Sequence, residues 1–200
     1  MGAMRSSERH KPDPEGGAVG RVLWHMMMSL DGYIAGPGDE MRWVFEVDSG
    51  EGEKTVHDVL RTAGALLVGR RTQEIEDRDQ PGFYGGAFRG PFFVLRHDPP
   101  HDPPVVKGVS GQFLDVGIAD AVAIALAAAD GGDVIVLGSS VARQCLEAGL
   151  LDEMIVHVAP VLLGGGVRMF ERAGGELVKL TPLSSAKEGE TTVLRYGLDR

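Results

Sequence analysis

The stretch from Val134 to Gly166, VIVLGSSVARQCLEAGLLDEMIVHVAPVLLGGG, restricts the fold more than any other part of the chain. Its two apolar runs lack polar alternation, so each reads as a strand buried on both faces, and the residues between them carry helical spacing. Strand, helix and strand in this order imply a largely parallel sheet with helices on both faces.

The flanking sequence extends the same alternation. RVLWHMMM, Arg21 to Met28, is a buried first strand ending at the loop SLDGYIAGPGDE. Val56, Val59, Leu60 and Ala63 form one apolar stripe of a helix, which leads into the strand Ala65 to Gly69. RRTQEIEDRD begins a second short helix, and PGFYGGAFRGP is too rich in glycine to continue it. A strand over Phe92 to Arg96 stops at HDPPHDPP, and QFLDV is a weaker strand candidate. Ile118, Ala121, Val122, Ala125, Leu126 and Ala129 share one side of a helix that Gly131 and Gly132 stop. Val134 onward then gives a strand, a helix and a long strand over Glu153 to Leu163. The tail forms an antiparallel hairpin around a polar turn at Lys187 to Glu190. The expected architecture is one α/β domain over residues 21–200, with a mixed, mainly parallel sheet, preceded by a disordered, Pro- and Gly-rich tail over residues 1–20.

With 200 residues, 43% of them hydrophobic and 24% charged, the chain can bury one well-formed core. A formal charge of −9 argues against a broad nucleic-acid surface, so any anion site is local. No segment reaches the roughly 20 apolar residues of a membrane span, and no apolar core of signal-peptide length precedes Arg21, so a cytoplasmic location is expected. One cysteine, Cys145, cannot form an internal disulfide.

Three strand ends carry anion-friendly groups. After VIVLG, Gly138, Ser139, Ser140 and Val141 open a helix whose N–H groups and dipole converge on one point. A serine there serves equally as a plain helix cap. Gly69, Arg70, Arg71 and Thr72 repeat the design, against the alternative of a solvated arginine pair. Arg96 and His97 end a third strand. In a parallel sheet these ends share one edge, where ligands bind, and a pyrophosphate with a further phosphate fits that layout, as in NADPH.

MSLDGYIAG, LLVGRRTQE, PGFYGGAFRGPFFVLRHDPP and CLEAGLLDEMIVHVAPVLLGGGVRMFE resemble the stand-alone proteins related to the C-terminal reductase domain of the riboflavin-biosynthesis deaminase-reductase. The resemblance runs from about Arg21 to the C-terminus. It implies the dihydrofolate reductase fold, an NADPH-dependent reductase and a homodimer. By that resemblance Gly69, Arg70, Arg71 and Thr72 lie along the cofactor phosphates and Arg96 and His97 near the 2′-phosphate. Gly138, Ser139, Ser140 and Val141 hold the pyrophosphate. Ser29, Leu30, Asp31, Gly32 and Ile34 sit at the nicotinamide end, with Trp43 in a loop closing over it. The chain departs from the riboflavin enzymes in two places. It has Leu137, Gly138, Ser139, Ser140 where they have a glutamate followed by paired glycines, and Tyr33 where a lysine often follows the Asp-Gly pair. The cofactor carries over, while the substrate stays open as a small heterocyclic or carbonyl-bearing molecule of pterin or riboflavin-precursor type.

Asp31 is the candidate proton donor, which requires a raised pKa; the alternative is a cap of the Asp-Gly turn through its own backbone. Phe83, Tyr84 and Phe88 in GFYGGAFRG are candidates for stacking on a flat substrate ring, or else a hydrophobic cluster. HDPPHD has metal-ligating residue types, but its prolines forbid the helix that would align them, so no metal is expected. His25 and His157 read as structural imidazoles inside strands. A non-catalytic module binding a nucleotide or flavin is the competing functional class.

Overall fold

The apolar runs of the sequence lie side by side in one eight-stranded sheet. The computed structural model describes residues 20–47, 54–79, 82–172, 174–175 and 177–198, so residues 1–19 of the expected tail lie outside the described residues. Strands β1 (Val22–Ser29), β2 (Tyr33–Ala35), β3 (Ala63–Gly69), β4 (Phe92–Leu95), β5 (Val105–Val106), β6 (Val109–Ser110) and β7 (Gln112–Leu114) are followed by β8 (Asp133–Leu137), β9 (Glu153–Ala159), β10 (Val167–Arg168), β11 (Leu180–Glu188) and β12 (Thr191–Leu198). Helices α1 (Trp43–Glu46), α2 (Lys54–Thr62), α3 (Arg70–Asp79), α4 (Ile118–Ala128) and α5 (Ser139–Glu147) connect them, with a 3₁₀ turn over Phe83–Gly86.

The strand order is β11-β12-β9-β1-β8-β3-β4-β7. All pairs from β9 to β7 are parallel, and β12 and β11 add the antiparallel hairpin expected from the tail. The mixed, mainly parallel sheet with a terminal hairpin is therefore the observed architecture. Strand alternation sorts the core into two layers. Val22 and Trp24 of β1 face the layer built with Ala121, Val122 and Ala125 of α4 and Val141, Ala142 and Cys145 of α5. Leu23 faces the other, with Val59 of α2, Phe83, Phe88 and Phe92. Each fully buried Leu or Phe contributes about 1.5–3 kcal/mol, which is why strands buried on both faces show no polar alternation. Burial pushes the Cys145 thiol up to about 12, so it is an inert core group.

β9 ends at Ala159 rather than at Leu163. Pro160 has no N–H for the ladder, and the next residues turn away: Leu30 N–H donates to the Val161 carbonyl, and the N–H groups of Leu163 and Gly164 donate to Asp31. The end of the sheet away from the strand C-termini is tied by charge. Arg21 bridges Asp133 at 2.8 Å and Glu153 at 2.9 Å, and Arg195 reaches Glu153 at 2.6 Å. That leaves the opposite edge free for a ligand. Among the described residues no helix is long and apolar enough to cross a membrane.

Candidate active site

A cavity of about 560 Å³ opens at the carboxyl ends of β3, β4 and β8, beside the central strand β1. Two helices begin at its wall without any intervening loop. β3 ends at Gly69 and α3 starts at Arg70; β8 ends at Leu137 and α5 starts at Ser139, with only Gly138 between them. Gly138 is the N-cap of α5, at φ 86°, and no side chain caps the helix. Ser139 and Ser140 are inside the first turn, so the serine-cap reading gives way to an open helix start whose N–H groups and positive dipole end are available to an anion.

Gly138 is required for a second reason. A Cβ there would lie 2.3 Å from Thr72 Oγ1. The absence of a side chain lets the starts of α3 and α5 approach each other, and Gly138 N–H also points to Met26 Sδ at 3.4 Å. Two helix starts and the floor of β1 are thereby held in one place.

The cations differ in what they already contact. Arg70 pairs with Glu74 at 2.9 Å along its own helix, Arg71 with Asp39 at 2.7 Å, and His97 with Asp115 at 3.1 Å. Arg96 is the exception among the described cations of the cavity. It has no acidic partner, its guanidinium lies over the Phe113 ring at 5.3 Å, and its buried Nε has no hydrogen-bond partner among the described residues. A buried donor left unmatched costs about 1–3 kcal/mol, which an anionic ligand would recover. The lining also has an apolar part, with Met26, Ile34, Ala35, Met41 and Val167, Met26 lying against the start of α5. A ligand that carries both anionic groups and a flat ring fits such walls.

Comparison with known proteins gives the lineage. The sequence matches the family described as the RibD C-terminal domain over residues 21–86 and 88–194. This chain belongs to that family. A Bacillus subtilis relative, the uncharacterized protein YwjB, is 27% identical over 88% of this chain and 97% of its own length. A riboflavin biosynthesis protein from Shewanella sp. PV-4, described as putative in its structure, superposes with a TM-score of 0.73 at 23% identity, covering 90% of this chain and 99% of that one. The Thermotoga maritima diaminohydroxyphosphoribosylaminopyrimidine deaminase/5-amino-6-(5-phosphoribosylamino)uracil reductase superposes at 0.66 and 13% identity, covering 90% of this chain and 57% of that one. The RibD C-terminal domain fold is of the dihydrofolate reductase type, as the sequence resemblance implied.

Within this RibD-type framework all ten residues expected at the cofactor line the cavity: Gly69, Arg70, Arg71, Thr72, Arg96, His97, Gly138, Ser139, Ser140 and Val141. Ile34 lines it as well. The other residues expected at the substrate end lie outside the lining of the cavity. Asp31 is held in the turn as a hydrogen-bond acceptor. Its carboxylate accepts from Ser29 Oγ at 2.6 Å, Gly164 N at 2.7 Å and Leu163 N at 3.1 Å. These bonds, the Ser29 hydroxyl first, hold it well below the usual carboxylate range, at about 2. Ser29 is fully buried, with its hydroxyl also accepting from Tyr33 N–H, so it braces the turn instead of touching a ligand.

Phe83 and Phe88 are 2% and 8% exposed in the second core layer, Phe83 packing edge-on against Phe92 with ring centroids 5.2 Å apart. They are unavailable for stacking on a substrate, because the 3₁₀ turn folds under the sheet rather than over the cavity. Tyr84 goes with them, its hydroxyl bonded to His25. Trp43 opens α1 and does not line the cavity. Sequence reasoning missed Ile75, Glu76 and Gln144, which do line it. Ile75 and Glu76 follow Thr72 by three and four residues and Gln144 follows Ser140 by four, so helical periodicity carried the signal.

Proposed function

We propose that the chain is an NADPH-dependent reductase that passes hydride to a small heterocyclic or carbonyl-bearing substrate, of the aminopyrimidine or pterin kind. One observation carries the reading: the uncapped start of α5 and Arg96, whose buried Nε has no hydrogen-bond partner among the described residues, face one cavity that also has apolar lining. Gly138, Ser139, Ser140 and Val141 would hold the pyrophosphate by backbone N–H groups, helped by Thr72. Arg96 would take the 2′-phosphate while lying on Phe113, with His97 beside it. Arg70 and Arg71 would flank the phosphates from α3 while engaged with Glu74 and Asp39.

Bound there, the reduced nicotinamide supplies hydride to an electrophilic carbon. Met26, Ile34, Ala35 and Val167 would press the flat rings together and exclude water, which is what a hydride transfer asks of its walls. The Thermotoga neighbour's described activity on an aminouracil, together with family membership, favours an aminopyrimidine as the first substrate to test. Membership also favours a cytoplasmic homodimer.

The functional test follows nicotinamide absorbance when purified protein and NADPH meet a panel of aminopyrimidines and dihydropterins. Substrate-dependent loss of NADPH is the expected result. Tight NADPH binding without oxidation by any of them would place the chain with the non-catalytic nucleotide binders.

A further inference from the structure

One segment of the cavity wall has little apolar anchorage. After β2 the chain turns through Gly36 to Met41 and enters the short α1. From Pro37 to Val47 no residue is buried, and α1 buries none of its four residues. A stretch with so few buried apolar contacts belongs to the low-stability part of a fold, where local opening costs least. The turn itself is a compact unit. Gly36 N–H donates to the Glu40 carbonyl at 2.8 Å, and Arg42 N–H donates to Glu40 Oε1 at 2.7 Å.

Asp39 ties this unit to α3. It stands at φ 63°, next to Gly38 at φ 70°. Arg71 Nε donates to its Oδ2 at 2.7 Å, and Arg71 Nη2 lies 2.7 Å from its Oδ1. Its backbone carbonyl accepts from Arg78 at 2.8 Å. Arg71 and Arg78 are seven residues apart, two turns along one face of α3. Asp39 and Met41 line the cavity from the turn, while Arg70, Arg71, Thr72 and Ile75 line it from α3. The Asp39 contacts therefore join one wall of the cavity to the other.

The mode of pairing matters. It uses Nε and Nη2 and leaves Arg71 Nη1 without a partner among the described residues, so one guanidinium can hold the Asp39 carboxylate and an anionic ligand together. On charge alone, a carboxylate beside a phosphate cavity opposes the ligand. Asp39 at this place fits a mechanical role better than an electrostatic one.

We propose that Asp39 is a positioning residue: with Arg71 and Arg78 it clasps the turn of residues 36–42 across the cavity, and opening of this clasp gates the release of a phosphate-bearing nucleotide held by Arg71. The inference rests on the reductase reading for the identity of that nucleotide. With the clasp shut, Asp39 orients Arg71 toward the ligand and Met41 stays in the apolar part of the lining. Opening separates the turn from α3, frees the guanidinium to swing and lets the ligand leave.

Asp39→Asn is the variant to make, because asparagine tolerates positive φ, keeps the size of the side chain and removes its charge. Charge and clasp predict opposite signs. Loss of a negative charge beside bound phosphates slows the release of NADPH, whereas loss of the clasp speeds it. Stopped-flow displacement of NADPH is expected to show release about tenfold faster in Asp39→Asn, the difference between a charge-assisted pair and a neutral hydrogen bond. Release at the wild-type rate, or slower, overturns the gate. A second measurement needs no nucleotide. Trypsin cleavage after Arg42, read from fragment masses, is expected to be about tenfold faster in Asp39→Asn, with cleavage after Arg143, which requires α5 to unfold, unchanged. Equal cleavage after Arg42 in both proteins overturns the clasp whatever the nucleotide does. A wild type that binds no NADPH removes the reductase reading and the gated ligand with it, while the proteolysis still decides the clasp.

Discussion

A carboxyl group donates a proton only where its acid form is accessible, and Asp31 is held the other way. Its pKa of about 2 lies below the ordinary 3.8, so its contribution to stability is present above about pH 4 and lost as pH falls through 2. Asp31→Asn should therefore melt at a lower temperature than the wild type at pH 5 to 7, with the two converging toward pH 2. A thermal-melt series across pH checks this, and the variant should keep NADPH affinity. His25 has the same sign, in a higher pH window. Its folded pKa of about 3 lies below the ordinary 6.5 of a base, so the folded state favours the neutral ring and stability falls as pH drops below about 6.5. Between pH 7 and pH 5 the wild type should lose about 2 kcal/mol that His25→Gln does not lose. Denaturant unfolding of both proteins measures the gap, and a gap independent of pH would contradict the assignment. At this scale the cations and small residues of the cavity were legible, because their types state their chemistry. Asp31 and Tyr84 were not, since their roles depend on partners 132 and 59 residues away.

At the scale of elements, the site is a junction in which two helices begin where two parallel strands end. Gly138 sets how closely they approach. Gly138→Ala would force a side chain into positive φ and 2.3 Å from Thr72 Oγ1, and should destabilise the protein by about 1–3 kcal/mol while weakening NADPH binding. Adding Thr72→Ala should recover the part due to the collision and leave the part due to φ, which a double-mutant cycle of unfolding free energies separates. The strand and helix runs were readable because both faces of the sheet are covered, which makes strands apolar throughout and helices one-sided. The early end of β9 at Pro160, the short β10 and β2 ladder, and the burial of Phe83 under the sheet were not. Each is decided by a long-range contact rather than by local periodicity.

At the scale of the whole molecule, the sheet ends on β11, whose residues from Thr181 to Lys187 are exposed. An edge strand of that length, with Leu183 54% exposed, is a surface that two copies would cover by pairing edge to edge. Light scattering should give twice the chain mass, and Leu183→Lys should shift it toward the monomer. The fold, by contrast, was legible from a single strand–helix–strand unit and the order of its neighbours, because a parallel sheet allows few ways to connect them. What links fold to function is the shared edge where Arg96 and α5 meet. Fluorescence titration of wild type and Arg96→Ala with NADPH and NADH tests that link most directly. Wild type should bind NADPH more tightly than NADH, by 10-fold or more if Arg96 makes a charge-assisted pair of about 1.5–3 kcal/mol, and Arg96→Ala should erase the difference. Equal affinity of the wild type for both nucleotides, or none for either, would contradict it.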